Sequence, residues 1–262
     1  MKIISLLSPG LFLALLSPFH LQAQAAEAPP LPYGDVVQGY ALTWADEFDG
    51  NTLDSEKWSY RTDSKMWSTQ LPENVSVADG KLIIALKKQE ANHKEFTGGG
   101  IISKRTFQYG YYEARFKTPP GSGWHTSFWA MAYNHASTAP NGTQEIDFCE
   151  QDSVTPTKYS AGVIAWDQRG KDFGRQAFST PDLSGDFHVW GCEFTPTVVR
   201  FFFDGKLTHE TDATQFKQGP QNLWLTCIAS PLGNTKTVDA DRLPATAEFD
   251  YVRFFESSPS KE

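Results

Sequence analysis

The sequence predicts an all-β protein, either a sandwich or a barrel, and three observations support this class. Short apolar runs recur along the chain and are separated by turns rich in Gly, Pro and Asp. Side chains alternate with a period of two, for instance over residues 201–203, and no long stretch keeps a helical period. Aromatic residues make up 14% of the chain, enough to build a large core. These features are typical of stacked or closed antiparallel sheets.

The predicted strands follow one another along the chain without an internal repeat, a low-complexity run or a linker. Turns are expected where Asp or Asn adjoins Gly, and where two prolines precede Gly121. Helix is expected only in short pieces, at 55–58 and at 214–216. The predicted strands are residues 42–44, 75–77, 82–87, 110–117, 127–133, 145–150, 160–166, 189–194, 198–203, 223–229 and 247–255.

The N-terminus has the features of an export signal. Lys2 precedes an apolar run that is too short, and too interrupted by prolines, to span a membrane, and small residues at Ala23 and Ala25 suit cleavage before Ala26. The mature protein is therefore expected to be secreted, to the extracellular space or the periplasm. The chain divides into a signal peptide (1–25), an extended Pro-rich leader (26–39), a single domain (40–256) and a tail (257–262).

Composition and charge narrow the class of partner. The formal net charge of −8 argues against nucleic acid and anionic membranes as partners once the signal is removed. An acidic chain with many aromatic rings is compatible with carbohydrate binding, because sugar rings stack on aromatic faces. We expect a monomer.

The three cysteines lie in apolar, strand-like contexts at Cys149, Cys192 and Cys227. We interpret them as buried free thiols, with a Cys192–Cys227 disulfide as the alternative in an exported protein. No spacing of Cys and His resembles a zinc site.

Residues 145–150 (EIDFCE) place three carboxylates within a strand that otherwise reads as buried. Plain alternation puts Glu145 and Asp147 on one face and Glu150 on the other. One extra residue, a β-bulge near Phe148 and Cys149, would return Glu150 to the face of the other two. Two glutamates on one wall with an aspartate between them are what glycoside hydrolysis by two carboxylates requires. A solvent-facing strand with scattered charge is the alternative interpretation.

The chain resembles glycoside hydrolase family 16 on this stretch and on several others in the same order. The stretch looks like the family's active-site signature, in the form with two residues between the aspartate and the second glutamate. The other similar pieces are residues 44–50 (WADEFDG), 109–115 (YGYYEAR), 128–129 (FW), 187–190 (FHVW), 203–205 (FDG) and 249–253 (FDYVR). The resemblance implies a curved antiparallel β-sandwich, a concanavalin-like jelly roll with the substrate cleft across its concave face.

The resemblance also implies roles for the three carboxylates. Glu145 would be the nucleophile, Glu150 the general acid/base, and Asp147 the residue that assists between them. The reaction would be a double displacement with retention, and it would need no cofactor. A retaining enzyme keeps its two carboxyl groups only about 5–5.5 Å apart, and two charges that close raise the pKa of one of them. The three groups should therefore titrate as a coupled set.

Aromatic residues near the signature are the predicted sugar platforms. In family members the strand that contains residues 124–129 carries cleft aromatics, so the resemblance implies Trp124 and Trp129 as platforms. Trp166, just after the following strand, is a third candidate, and His188 is expected to reach the cleft. Filling of the sandwich core is the alternative for each tryptophan, and a structural role is the alternative for His188.

The predicted substrate is a β-1,3- or β-1,3-1,4-glucan, with galactans of the agar and carrageenan type as the alternative. Two departures from the commonest β-1,3-glucanase pattern keep that alternative open. His125 stands where those enzymes usually have Pro after Trp, and Arg169, Lys171 and Arg175 follow the strand after the signature. Basic residues near a cleft can bind sulfate or uronate groups, whereas in a solvated loop they would only offset neighbouring acids.

A structural calcium ion is a further expectation from the resemblance. Family members often bind one on the convex face with residues like Glu47, the carbonyl of Gly80 and Asp250, and hard oxygen ligands suit Ca²⁺. Ordinary turn or hydrogen-bonding roles are the alternative for these residues.

Two other functional classes share the predicted fold. A transglycosylase would use the same covalent intermediate with a sugar as the second acceptor. A non-catalytic carbohydrate-binding sandwich would have no need for the carboxylate signature.

Overall fold

The computed structural model describes residues 32–33, 39–131 and 144–257. The predicted signal peptide (1–25), most of the leader and all but the first residue of the tail lie outside the described residues. The proposed division into signal, leader, domain and tail stays a prediction. In the described part of the chain, no helix is long and apolar enough to cross a membrane.

Nearly all of the regular structure in the described residues is β-strand, interrupted by short 3₁₀ turns. The strands are β1 (Tyr40–Asp46), β2 (Trp58–Tyr60), β3 (Ser64–Lys65), β4 (Ser68–Gln70), β5 (Val75–Ala78), β6 (Lys81–Ala91), β7 (Lys94–Ser103), β8 (Gly110–Lys117), β9 (Trp124–Met131), β10 (Gln144–Asp152), β11 (Lys158–Ala165), β12 (Lys171–Ser179), β13 (His188–Phe194), β14 (Val198–Phe203), β15 (Lys206–Asp212), β16 (Asn222–Ala229) and β17 (Ala245–Ser257). The 3₁₀ turns are Pro72–Asn74, Trp166–Gln168, Ala213–Gln215, Leu232–Asn234 and Ala240–Arg242.

The strands form two curved antiparallel layers. The first sheet runs β5–β6–β17–β8–β13–β14–β15, and β1 pairs with the C-terminal half of β17. The second sheet runs β2–β7–β16–β9–β10–β11–β12. The β6–β7 hairpin connects the two layers, and β4 adds a parallel pairing to β7. The predicted all-β, curved antiparallel sandwich is confirmed.

Aromatic residues fill the space between the sheets, as the composition indicated. The ring of Phe116 on β8 lies 3.9 Å from that of Trp190 on β13, measured between centroids. Phe148 on β10 packs against Tyr112 of the first sheet at 5.1 Å and against Phe128 of its own sheet at 4.5 Å. The inward-facing residues of β10 thereby anchor this strand in the core.

All three cysteines are buried and free, so the interpretation as free thiols is confirmed and the alternative disulfide is not formed. Each of the predicted strands coincides with, or overlaps, an observed one. The sequence did not predict β7, β12 and β15 among the longer strands. Of these, β12 matters for the site, because residues 169–175 were interpreted as part of a connection.

Candidate active site

The carboxylate strand β10 contains the predicted bulge. Against β11, Asp147 pairs with Gly162 and Glu150 with Ser160, so two residues of β10 are accommodated where regular pairing allows one. The register against β9 shifts at the same place. Phe148 and Cys149 are both buried in the core. The bulge therefore reverses the alternation once and places Glu150 on the same face as the other two carboxylates.

Asp147 is the most buried of the three carboxylates, with 1% of its surface exposed. Its Oδ2 accepts a hydrogen bond from Nη1 of Arg175 at 2.9 Å. Burial, and then the neighbouring charge of Glu145, raise the pKa of Asp147 well above its ordinary value, and the Arg175 guanidinium only partly opposes this shift. The raised pKa favours the protonated form of Asp147, and in that form its hydroxyl donates to Glu145.

Glu145 is half-buried at the start of the signature, where two donors orient it. The indole Nε1 of Trp166 donates to its Oε2 at 2.9 Å, and Asp147 supplies the second hydrogen bond. Trp166 begins the 3₁₀ turn that follows β11 and remains 46% exposed. Its ring is therefore accessible beside the carboxylate.

Glu150 is contacted on both of its carboxylate oxygens. Its Oε1 lies 3.2 Å from Nε2 of His125, which stands on β9. Its Oε2 is in contact with Nη2 of Arg175. The same guanidinium group thus contacts both Asp147 and Glu150, and Ser160 Oγ accepts from it at 3.3 Å.

Trp129 lies beside the carboxylates, because it is the cross-strand partner of Asp147 on β9. Its ring stacks on that of Trp224 from β16, with centroids 4.6 Å apart and planes inclined by 26°. The Arg61 guanidinium lies over the Trp224 ring at 5.7 Å and is held by hydrogen bonds of 2.6 and 2.9 Å to Asp63. These side chains continue the carboxylate wall across the second sheet.

Two predicted substrate residues do not fit the cleft. Trp124 is only 1% exposed and packs edge-on against Phe96 in the core, so its ring has no free face for a sugar. His188 stands on β13 of the first sheet, where its Nδ1 lies 2.8 Å from Oδ2 of Asp204 and its ring stacks on Phe203. The structure brings neither residue to the carboxylates.

Four residues of the wall were missed, or only partly anticipated, from the sequence. Arg175 was predicted in a connecting loop, together with the exposed Arg169 and Lys171, but it lies on β12 and points to the carboxylates. His125 was noted only as a departure from the glucanase pattern. Its even spacing from Trp129 would have placed it on the cleft face. No sequence signal distinguished Trp224 and Arg61 from ordinary strand and turn residues.

The two carboxylates expected to bind calcium already form ion pairs with arginines. Both oxygens of Glu47 accept from Arg253 at 2.8 Å, and Oδ2 of Asp250 accepts from Arg115 at 2.6 Å. A guanidinium already neutralises each carboxylate and would repel a cation. Among the described residues, no group of three or more His, Cys, Asp and Glu side chains is arranged to hold a metal ion. The side chains therefore do not fit the calcium site predicted at Glu47, Gly80 and Asp250.

Comparison with known proteins places the chain in a family. Residues 41–257 match the family model described as "Beta-porphyranase A-D, GH16 domain". The chain belongs to glycoside hydrolase family 16. It is therefore a glycoside hydrolase, and the jelly-roll form of the sandwich is confirmed by its structural neighbours.

Individual family members are similar over most of their length. The beta-glucanase of Rhodothermus marinus is 28% identical, over 84% of this chain and 87% of its own. The kappa-carrageenase of Pseudoalteromonas carrageenovora is 27% identical, over 97% of this chain and 74% of its own. A mutant of SCLam, a non-specific endo-beta-1,3(4)-glucanase, superposes with a TM-score of 0.76 at 26% identity, over 87% of this chain and 99% of its own.

The raised pKa of Asp147 predicts the pH dependence of stability. The folded protein keeps a proton that the unfolded chain loses above pH of about 4, so this contribution to stability is complete below that pH. It is lost as the pH rises through the folded-state pKa. Asn cannot ionise, so urea unfolding at several pH values should show a flatter profile for Asp147→Asn than for the wild type.

The exposed Asp182 provides a control of opposite sign. Hydrogen bonds from Ser184 lower its pKa, so its contribution to stability is present above the unfolded-state pKa and lost as the pH falls. Asp182→Asn should therefore differ from the wild type at neutral pH and converge with it in acid. Parallel wild-type and Asp147→Asn profiles would contradict the assignment of a buried proton.

The arginine pairs predict that calcium does not stabilise the fold. Because Arg253 and Arg115 already neutralise Glu47 and Asp250, the melting temperature should be the same in excess EDTA and in millimolar Ca²⁺. Differential scanning calorimetry on one preparation divided between the two conditions measures this. A higher melting temperature in Ca²⁺ that Glu47→Gln abolishes would restore the predicted site.

Proposed function

We propose that this chain is an endo-acting, retaining hydrolase of β-1,3- or β-1,3-1,4-glucan that works by double displacement through Glu145 and Glu150. The observation that carries the proposal is the bulge of β10, which gathers Glu145, Asp147 and Glu150 on one wall of the sheet. The wall supplies two carboxyl groups for attack and protonation and one buried acid that orients the nucleophile.

In the first step, the Glu145 carboxylate bonds to the anomeric carbon as the bond to the leaving oxygen breaks. Glu150 donates its proton to that oxygen. Asp147 keeps its own proton, and its hydrogen bond, together with that of Trp166, holds Glu145 in the attacking orientation. In the second step, Glu150 removes a proton from water as the water oxygen displaces Glu145. The sugar leaves with its original anomeric configuration.

The glucan assignment is supported by the relatives named as beta-glucanases and by the structural similarity to an endo-beta-1,3(4)-glucanase. Exposed Trp166 and half-buried Trp129 provide aromatic surface on either side of the carboxylates, which suits neutral sugar rings. An endo mode of cleavage is consistent with a wall of side chains that continues across several strands.

A sulfated galactan is the second candidate, and specific observations favour it. The matching family model is described by the name of a porphyranase, and a carrageenase is among the relatives. Arg175 and Arg61 place two guanidinium groups on the cleft face of the sheet. Guanidinium groups bind sulfate through paired, charge-assisted hydrogen bonds.

The proposals for location and oligomeric state rest on the sequence and on this proposed activity. A polysaccharide is too large to enter a cell, so residues 1–25 acting as an export signal would bring the enzyme to its substrate. We further propose that the secreted enzyme acts as a monomer. Transfer to a sugar in place of water is the alternative outcome of the second step, and longer products from a defined oligosaccharide would reveal it.

The carboxylate roles predict large losses of activity. Glu150→Gln should lower kcat by about 10²- to 10⁴-fold, and Glu145→Gln by roughly 10⁴-fold or more, with unchanged circular dichroism. Glu210→Gln, which removes an exposed carboxylate on β15, is the matched control and should retain wild-type turnover. Proton NMR of the first products should show the β anomer. Near-normal turnover in Glu145→Gln, or initial formation of the α anomer, would refute the mechanism.

A polysaccharide panel separates the two substrate candidates. Laminarin, mixed-linkage glucan, agarose, porphyran and carrageenans are compared by the release of reducing ends at equal mass. The glucan proposal predicts the fastest release from laminarin or mixed-linkage glucan, with Arg175→Lys retaining the same ranking. Preference for a sulfated galactan that desulfation abolishes would overturn the glucan proposal in favour of the second candidate.

A further inference from the structure

His125 links two acidic residues of β10 within the wall. Its Nδ1 lies 2.9 Å from Oδ1 of Asp152, and its Nε2 lies 3.2 Å from Oε1 of Glu150. The imidazole is only 6% exposed. Asp152 and Glu150 are two residues apart on one strand, and His125 reaches both because its cross-strand partner on β10 is Asp152 itself.

The contact with Asp152 fixes the state of the imidazole ring. A carboxylate is an acceptor only, so Nδ1 carries the hydrogen of this bond. In a neutral ring Nε2 is then an acceptor. It can accept a hydrogen bond from Oε1 of Glu150 when Glu150 carries a proton. When Glu150 is ionised, the same bond needs the hydrogen on Nε2. A hydrogen bond between the two atoms therefore needs one proton, carried by either of them.

Arg175 gives this proton a defined position. Its guanidinium group contacts the other oxygen of Glu150, and a guanidinium cannot accept a hydrogen bond. The proton of the pair is therefore confined to the Oε1 side, where His125 faces it. Two acidic groups, Glu150 and Asp152 of β10, contact the imidazole directly. Arg175 of β12 is the nearest cation and contacts Glu150 rather than the imidazole. On β16 the residue paired with His125 is the apolar Ile228.

We propose that Asp152 and His125 form a positioning pair that holds the catalytic proton of Glu150. This inference rests on the proposed acid/base role of Glu150. In the first step the proton shared by Nε2 and Oε1 passes to the leaving oxygen as its bond to the anomeric carbon breaks. In the second step the proton released by the attacking water returns to the pair. A histidine with a purely structural role would need only the bond to Asp152.

Substrates with different leaving groups distinguish a His125 that holds the proton of Glu150 from a His125 with a purely structural role. In an aryl β-laminaribioside the aryl group is the leaving group. Phenol is a poor leaving group and needs a proton from the enzyme as it departs, whereas 2,4-dinitrophenol departs as the anion without one. His125→Asn should lower kcat/KM about 100-fold for the phenol and change it less than about threefold for the dinitrophenol. Asp152→Asn should show the same contrast to a smaller degree. His209→Gln, at a buried histidine of β15, is the control and should leave both values unchanged.

An equal loss with both leaving groups, or no loss with either, would overturn the proposal. Nitrogen-15 NMR of the imidazoles tests it without any substrate, so an error in the glucan assignment would not obscure the result. The Nε2 signal of His125, identified by its absence from His125→Asn, should shift clearly in Glu150→Gln, and Nδ1 should carry a hydrogen throughout. An Nε2 signal that Glu150→Gln leaves in place would refute the shared proton even if the enzyme hydrolyses glucan.

Discussion

The contact of one guanidinium group with two carboxylates is the interaction on which the cleft depends. Two unit charges about 5 Å apart in a medium of effective dielectric constant 20 repel by about 3 kcal/mol, and three carboxylates would multiply that cost. The protein avoids it in two ways. Burial raises the pKa of Asp147 and so favours its neutral form, and Arg175 lies between Asp147 and Glu150. The glutamates can then face the substrate as a nucleophile and an acid.

The second sheet turns this local arrangement into an extended surface. The wall is built from five strands that are consecutive in the sheet, of which β9 to β12 also follow one another in the chain and only β16 is distant. They supply, in order across the sheet, Arg175 (β12), Trp166 (the end of β11), the carboxylates (β10), Trp129 (β9) and Trp224 (β16). Neighbouring strands lie about 4.8 Å apart, so the functional groups form a line at right angles to the strands. A polymer that lies along this line meets a different strand at each step.

The sequence was sufficient to predict the fold class and the centre of the site. Period-two alternation and turn residues located most long strands, and the spacing of Asp147 and Glu150 predicted the bulge because only an extra residue aligns them. The β12 strand was missed, since most of its residues are polar and its two aromatic residues, Phe173 and Phe178, do not share the parity of a regular strand because the register shifts between them. Without that strand, the sequence could not predict that Arg175 lies beside the carboxylates.

Other errors came from assigning residues by proximity in the sequence rather than by strand face. Counting back from Trp129 by twos reaches His125, whereas Trp124 falls on the core face and packs there. His188 shares the parity of buried Trp190 on the other sheet. The calcium ligands were inferred from single residues of the family pattern. Their arginine partners, Arg253 for Glu47 and Arg115 for Asp250, come from other strands that are far away in the sequence, and no local spacing reveals them.

The fold contains no disulfide, because all three cysteines are buried as free thiols. Cys149, Cys192 and Cys227 lie on β10, β13 and β16, so both sheets contain at least one, and burial raises the pKa of each. No cross-link constrains them, and the native state keeps the reactive thiolate form unfavourable and covered. Alkylation therefore requires the layers to separate, and the rate at which the three sulfurs become reactive reports how often the sandwich opens.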